Sequence, residues 1–248
     1  MRQPAADPSI AAAKTDRFQA MKRCAGVIRA IESMRSQKVA CDSNREWPDE
    51  WAACKKRISS FDERLQRAEA MLSECSPTDI GDSEFRYWRS IVEAAETGDM
   101  DAALCYVESD IWLRRPWSEE DVARYRTLAP AYVDRAFAAG DWRIAEIFFS
   151  GLRRAPSNEL LINDSVDGRI IQYRMNRLLR LGAVGNFAIS LDIVSVDTND
   201  PLPAADRLPA ENWAKDMYAR YFSHSPKMES PPIPCAVIED DISPNPFL

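Results

Sequence analysis

Histidine and glycine are scarce in this chain, which contains one histidine and eight glycines among 248 residues. The alternation of apolar and polar residues that marks a half-buried strand is almost absent as well. No apolar run approaches the roughly 18 to 20 residues that a helix needs to span a bilayer. These absences exclude a β-rich fold and a membrane-spanning helix, and they predict an all-α protein.

Several motifs of catalysis and ligand binding are also missing. The sequence has no glycine-rich phosphate loop, no His-Glu-x-x-His pair and no calcium-binding loop. The single histidine, His224, lies at a predicted helix end, where we favour a solvated surface residue over a general base. The formal net charge is −7 and no uninterrupted basic patch occurs, which argues against nucleic acid as the main partner. We predict no catalytic residue, cofactor or metal.

The glycines that do occur are regularly placed, because Gly98, Gly140 and Gly182 are 42 residues apart. The first two lie in nearly the same phrase, with alanines on both sides of a Gly-Asp pair. Periods of about 40 to 47 residues are typical of helical solenoids. We expect the glycines to end a first helix, and Asp99 and Asp141 to cap the next one. The third copy is degraded, since no aspartate follows its glycine.

This repeat resembles the Sel1-like branch of the tetratricopeptide family over residues 84–190. The match is close at 84–109 and 131–152 and poor at 170–190, and Phe137 and Ile144 replace alanines of the family pattern. The resemblance implies a right-handed α-solenoid of stacked antiparallel hairpins that binds proteins and has no catalytic residues. The matching residues are Ala94, Ala95, Gly98, Asp99, Ala102 and Tyr106, then Ala136, Gly140, Asp141, Ile144 and Phe148.

Breaks in the pattern divide the chain into five predicted segments. They are a flexible leader 1–15, a cysteine-bearing helical hairpin 16–76, helical repeats 83–190, a linker and final helix 191–222, and an extended proline-rich acidic tail 223–248. The hairpin is predicted to pair 16–38 with 48–75 and to hold Trp51 in its core. Ser118 is the predicted N-cap of a helix that has acids as far as Asp121 in its first turn and runs to about Leu128. Residues 189–196 form a strand or an extended connector, and the final helix covers 210–222.

Six cysteines are present, and their spacing excludes the usual zinc motifs. Four lie within the first 75 residues at intervals of 17, 13 and 21, with no histidine nearby. The alternatives are disulfides, which need an oxidising compartment such as the periplasm, and buried thiols acting as small apolar side chains. We favour disulfides and leave their connectivity open. The residues are Cys24, Cys41, Cys54, Cys75, Cys105 and Cys235.

An insert between the first two repeats holds the predicted partner-binding residues. Trp112, Arg114, Arg115 and Trp117 combine the residue types that are over-represented at interface hot spots, although a role in sealing the core is the alternative, which we slightly favour for this loop. The polar, proline-punctuated N-terminus resembles the tether of an exported protein whose leader has been removed.

Together these features favour a periplasmic immunity protein that occludes a secreted antibacterial effector, a step that depends on resemblance to small exported helical proteins of that kind. The first alternative is a cytoplasmic scaffold or adaptor with reduced thiols. The second is a helical cell-wall hydrolase using an acid such as Glu93 or Glu146. The partner's identity and the oligomeric state are not determined by the sequence.

Overall fold

The computed structural model describes residues 8–43, 46–76, 83–108, 118–151, 168–196, 202–233 and 235. These residues form an all-α structure of ten helices, without a strand. The helices are α1 Pro8–Ser43, α2 Pro48–Arg57, α3 Phe61–Leu72, α4 Ser83–Glu96, α5 Met100–Glu108, α6 Glu119–Ala138, α7 Trp142–Gly151, α8 Gly168–Gly182, α9 Gly185–Val196 and α10 Ala204–Met217, which a π-helical turn, Tyr218–Phe222, extends.

The chain divides into two compact units, and the boundary falls inside the first predicted repeat turn. Described residues up to Thr97 belong to the first unit, and Gly98 to Cys235 form the second. The helix before Gly98 therefore belongs to one unit and the helix after it to the other.

In the first unit, the long helix α1 contacts α2, α3 and α4. The core brings apolar residues of α1 against Ile58, Phe61 and Ala68. Residues 48–75, which we expected to form one helix, form two, because a turn intervenes in which the Ile58 carbonyl accepts from the Phe61 amide at 3.0 Å. Helix α1 also begins earlier than predicted, at Pro8, within the segment interpreted as a flexible leader.

In the second unit, successive helices contact one another: α5 with α6 and α7, α6 with α7, α7 with α8, and α8 with α9 and α10. Helix α5 is buried all round, since every residue from Ala102 to Val107 is buried. The apolar residues Ala102, Ala103, Tyr106 and Val107 recur at helical spacing, which by itself predicts a single apolar stripe. A helix without a polar face is expected where neighbours cover it on several sides.

Helix α6 begins as predicted but ends ten residues later. Ser118 Oγ accepts a hydrogen bond from the Asp121 amide at 3.1 Å, and Asp121 accepts one from the Ser118 amide, which completes a capping box. The helix continues through Pro130 to Ala138. Proline at this position removes one backbone hydrogen bond. Buried residues on both sides of it, such as Tyr125 and Tyr132, keep the two halves in one helix.

Two C-terminal elements also differ from the expectation. Residues 189–196 are part of helix α9 and form neither a strand nor an extended connector. The final helix starts at Ala204 instead of 210 and contains Pro209. Both differences have one cause. Residues 189–196 alternate like a strand and the final helix contains a proline, so local sequence did not favour a helix in either place, and packing against α8 stabilised the helical conformation in both.

Candidate protein-binding surfaces

The repeat turns have the geometry that the glycines predict. Gly98 and Gly140 have positive φ angles of 104° and 64°. Asp99 Oδ1 accepts from the Ala102 amide at 2.8 Å, and Asp141 Oδ1 accepts from the Arg143 amide at 3.1 Å. Each aspartate therefore satisfies a free amide at the start of the following helix.

An ion pair joins equivalent positions of the first two repeats. Arg143 donates to Asp101 at 2.6 Å and to its own turn's Asp141 at 2.7 Å. Arg143 lies one repeat of 42 residues after Asp101. The hydrogen bond with Asp141 is the main cause that raises the pKa of Arg143, and Asp101 adds to it against the opposing effect of burial. The pair connects the beginnings of α5 and α7.

The third turn differs from the first two. Gly182 is the last residue of α8, and a Cβ there would collide with the Trp142 ring. Positive φ occurs instead at Gly185, which has a φ of 57° and begins α9. Glycine is therefore required at position 182 because the Trp142 ring packs against it. The left-handed backbone conformation occurs three residues later, at Gly185.

Residues 223–233, here called the strap, run along the turns of the second and third repeats. Ser225 Oγ donates to the Gly140 carbonyl at 2.7 Å, and Pro226 accepts from Trp142 Nε1 at 2.9 Å. Met228 exchanges backbone hydrogen bonds with Gly182 and Val184 at 3.0 and 2.9 Å. Two residues beyond the strap, Cys235 is joined to α5.

All six cysteines are paired. Cys105 on α5 is bonded to Cys235, with Cα atoms 4.9 Å apart and a separation of 130 positions in sequence. The other two pairs lie in the first unit: Cys24–Cys75 and Cys41–Cys54, with Cα separations of 5.9 and 5.7 Å. These pairs are compatible with an oxidising compartment.

Helix α9 presents apolar side chains to solvent. Ile189 and Ile193, one turn apart, are 57% and 56% exposed, and Val184 just before the helix is 38% exposed. We call these three residues the α9 face. The only charged residue of α9, Asp192, accepts from Arg180 of α8 at 2.9 Å. The solvent-facing side of a helix is normally polar or charged, so this surface is unusual.

Helix α2 is the second exposed surface. Of its ten residues only Cys54 is buried. Trp47, which precedes the helix, is 65% exposed, and Trp51 is 36% exposed, although we had expected Trp51 to pack into the hairpin core. Lys55 Nζ lies 5.7 Å from the centre of the Trp51 ring and 3.3 Å from Asp42 of α1.

The residues predicted to bind the partner, Trp112, Arg114, Arg115 and Trp117, lie outside the described residues, so their role stays a prediction. The surfaces that the structure does present, α2 and the α9 face, were not predicted. A signal for the first was present in part: half of this ten-residue segment is charged, with three consecutive cations at its end, so it cannot bury much of itself. The second was hidden because α9 was interpreted as a strand or connector.

The acids considered for catalysis are placed as follows. Glu93 on α4 accepts from Arg89 at 2.9 Å and from Arg17 of α1 at 3.4 Å, which joins two helices of the first unit. Glu146 lies on α7, partly buried. His224 is exposed at the start of the strap. Among the described residues no cluster of three or more potential metal ligands occurs.

Two phenols have altered acidity. Burial, with a smaller contribution from Tyr106, raises the pKa of Tyr125, whose hydroxyl donates to the Val107 carbonyl at 2.8 Å. Burial and a hydrogen bond with Glu211 raise the pKa of Tyr173. Both bonds join helices of the second unit, so the phenols contribute to its packing.

These features define an all-α protein with paired cysteines and two exposed helix surfaces. No protein-family model, curated protein or solved structure matches the chain. Within the described ranges, no helix combines the length and apolarity needed to cross a membrane.

Proposed function

We propose that this protein is a non-enzymatic protein-binding module, most specifically an immunity protein that neutralises a secreted antibacterial effector by direct binding. The α9 face carries the proposal. A chain in which 29% of the residues are charged presents two exposed isoleucines one turn apart on α9, whose single charged residue, Asp192, is paired with Arg180. Apolar surface of this kind is typical of interaction sites.

The second unit, which contains α9, offers a stable support for such a surface. Backbone hydrogen bonds with the strap hold the turn before α9, and Asn176 of α8 donates to the Leu191 carbonyl at 3.0 Å inside it. A surface on a fixed helix loses little conformational entropy when a partner binds. We infer that the hairpins stack as a right-handed solenoid, as the Sel1-like pattern implies, and that the partner contacts its end.

The cysteine pairs support an extracytoplasmic site of action. Three disulfides would not persist in a reducing cytosol. We therefore propose a periplasmic location and give the cytoplasmic scaffold second place. If the native protein contains free thiols, the cytoplasmic scaffold becomes the favoured function and the periplasmic immunity protein the alternative.

The test is affinity capture with the oxidised full chain from the secreted proteins of a bacterium that carries it, followed by mass spectrometry. We expect one dominant toxin-like protein with the wild type and loss of it with Ile189→Asp/Ile193→Asp. The matched control is Leu208→Asp, which alters a residue on α10 that is 62% exposed. Equal recovery with all three proteins would refute the role of the α9 face.

A second experiment tests the biological claim. Cells expressing the captured toxin in the periplasm should survive when this protein is co-expressed there, and should die with the Ile189→Asp/Ile193→Asp variant. Peptidoglycan hydrolysis by the purified wild type that is lost in Glu93→Gln or Glu146→Gln would replace the proposal with the hydrolase alternative.

A further inference from the structure

Helix α2 has little reason to be ordered by its own contacts. It is ten residues long, and only Cys54 is buried. An isolated helix of this length is marginal in water. The disulfide from Cys54 to Cys41, with the Lys55–Asp42 ion pair, attaches it to the end of α1. The structure therefore holds in place a helix that faces solvent almost entirely.

The charges of α2 are separated along its axis. Asp49 and Glu50 lie in the first turn, and Lys55, Lys56 and Arg57 lie in the last. Of these five, Lys55 alone forms an ion pair, with Asp42, within the part of the chain that the structure describes. The helix dipole favours this distribution, but the effect is small at exposed positions, about 0.3 to 1 kcal/mol.

We propose that α2 is a self-association surface, and that its occupant is α2 of a second copy of this chain, packed antiparallel. A two-fold axis at the middle of the helix, between Ala52 and Ala53, places Asp49 of each copy opposite Lys56 of the other. The acidic end of one helix then meets the basic end of its partner. A helix with opposite charges at its two ends is complementary to itself in this orientation and in no parallel one.

The residues at the midpoint fit the same arrangement. Ala52 and Ala53 are small, exposed and on the same face as Asp49 and Lys56, which permits close approach of two helix backbones. Trp51 lies on the opposite side of the helix, nearer the buried Cys54, and stays outside the interface. Two helices about 15 Å long cover less than the roughly 800 Å² per partner of a standard interface, so the dimer is weak, with a dissociation constant of roughly 10 to 100 μM.

The test is sedimentation velocity of the oxidised full chain from about 5 to 500 μM, which spans the expected dissociation constant. The wild type dimerises with increasing concentration. Asp49→Lys/Glu50→Lys and Lys56→Glu/Arg57→Glu are each monomeric throughout, because like charges then face one another. An equal mixture of these two variants forms a heterodimer, since one α2 is now wholly basic and the other mostly acidic.

Two further variants complete the design. Glu119→Lys/Glu120→Lys reverses two exposed acids in the first turn of α6, with the same change in net charge, and leaves dimerisation unchanged. Ala53→Arg, which places a bulky cation of each copy next to the two-fold axis, weakens dimerisation at least about tenfold, the equivalent of about 1.4 kcal/mol. Circular dichroism verifies that each variant remains helical.

The proposal is overturned if the wild type is monomeric at every concentration, or if mixing the two charge variants yields only monomers. It is also overturned if dimerisation survives both charge variants but not Ile189→Asp/Ile193→Asp, which assigns self-association to the α9 face. None of these measurements requires the effector, so the result is independent of the proposed function.

Discussion

Gly98 and Gly140 occupy the same place in two repeats but have different surroundings. Both have positive φ, which costs a non-glycine residue about 1 to 2 kcal/mol. A Cβ at Gly98 would enter open space, whereas one at Gly140 would meet the Tyr221 carbonyl and the Ser225 hydroxyl. Backbone conformation accounts for the first glycine, and conformation together with contact by the C-terminal segment accounts for the second.

We therefore predict that Gly98→Ala lowers the free energy of unfolding by about 1 kcal/mol and Gly140→Ala by about 3 kcal/mol, because overpacking adds to the strain. Urea denaturation followed by circular dichroism measures both. Gly185→Ala, which also combines positive φ with open space, is the control and should resemble Gly98→Ala. Equal losses at Gly98 and Gly140 would mean that the C-terminal segment does not rest on the second turn.

Tyr125 couples the stability of the second unit to alkaline pH. Burial raises its pKa in the folded protein above the ordinary value near 10. A raised pKa of this kind favours the neutral phenol in the folded state, so the contribution is complete below pH 10. It is lost as pH rises above that value, because the unfolded phenol then ionises.

We predict that Tyr125→Phe lowers stability by about 1 kcal/mol at neutral pH, through loss of the bond to the Val107 carbonyl. The variant should also lose less of its Tm than the wild type between about pH 9 and 11. Thermal denaturation across this range measures both effects. Tyr221→Phe, which changes a partly exposed phenol, is the control. Parallel curves for wild type and Tyr125→Phe would contradict the assignment.

Among the helices, α2 depends on a covalent attachment more than the others in its unit. Removing the Cys41–Cys54 bond should release it, since packing provides one buried residue. The Cys24–Cys75 bond instead joins α1 to the chain after α3 and closes a loop of 51 residues. Chain entropy assigns about 3 kcal/mol to the shorter loop and about 4 kcal/mol to the longer one.

We predict that Cys41→Ser/Cys54→Ser accelerates amide exchange in α2 and leaves α4 protected, with a smaller fall in Tm than loss of the Cys24–Cys75 bond causes. Cys24→Ser/Cys75→Ser should accelerate exchange in α1, α3 and α4 together. Hydrogen exchange with mass spectrometry resolves the helices. If α2 keeps its protection without its disulfide, contacts other than the bond hold it, and the view of α2 as a tethered helix fails.

For the complete molecule, the cysteines decide between the two compartments. Oxidised protein from its native source should contain no titratable thiol in denaturant and six after reduction, since the structure leaves no cysteine free. Reduction should lower the Tm, most strongly through Cys105–Cys235, which closes 130 residues. Six free thiols before reduction would exclude the periplasmic proposal and favour the scaffold.

The inserted segment supplies a last prediction. Trp112→Ala and Arg115→Ala should weaken partner binding without unfolding the protein, because tryptophan and arginine contribute strongly at interfaces. Calorimetry with the captured partner, alongside circular dichroism, separates the two effects. Unchanged affinity would leave the α9 face as the proposed contact and assign the insert to another role.

Prediction from sequence succeeded where neighbouring residues decide the outcome. Aspartate after glycine predicted the caps at Asp99 and Asp141, and Ser118 with Asp121 predicted the start of α6, because capping depends on residues two or three positions apart. It failed where packing decides, as at Pro130 inside α6 and at Ile58, where one expected helix became two. Trp51 was misplaced for the same reason, since exposure depends on what α1 leaves uncovered.

The amino-acid order alone determined the helical class, the positions of the turns and the absence of the common catalytic motifs, since each depends on local backbone preference and short-range hydrogen bonds. Tertiary structure decided which cysteines pair, that Arg143 reaches Asp101 one repeat away, and that residues 223–233 lie on two turns. It also left α2 and the α9 face open to solvent. Contacts between residues far apart in the chain depend on how helices pack, which local chemistry does not specify.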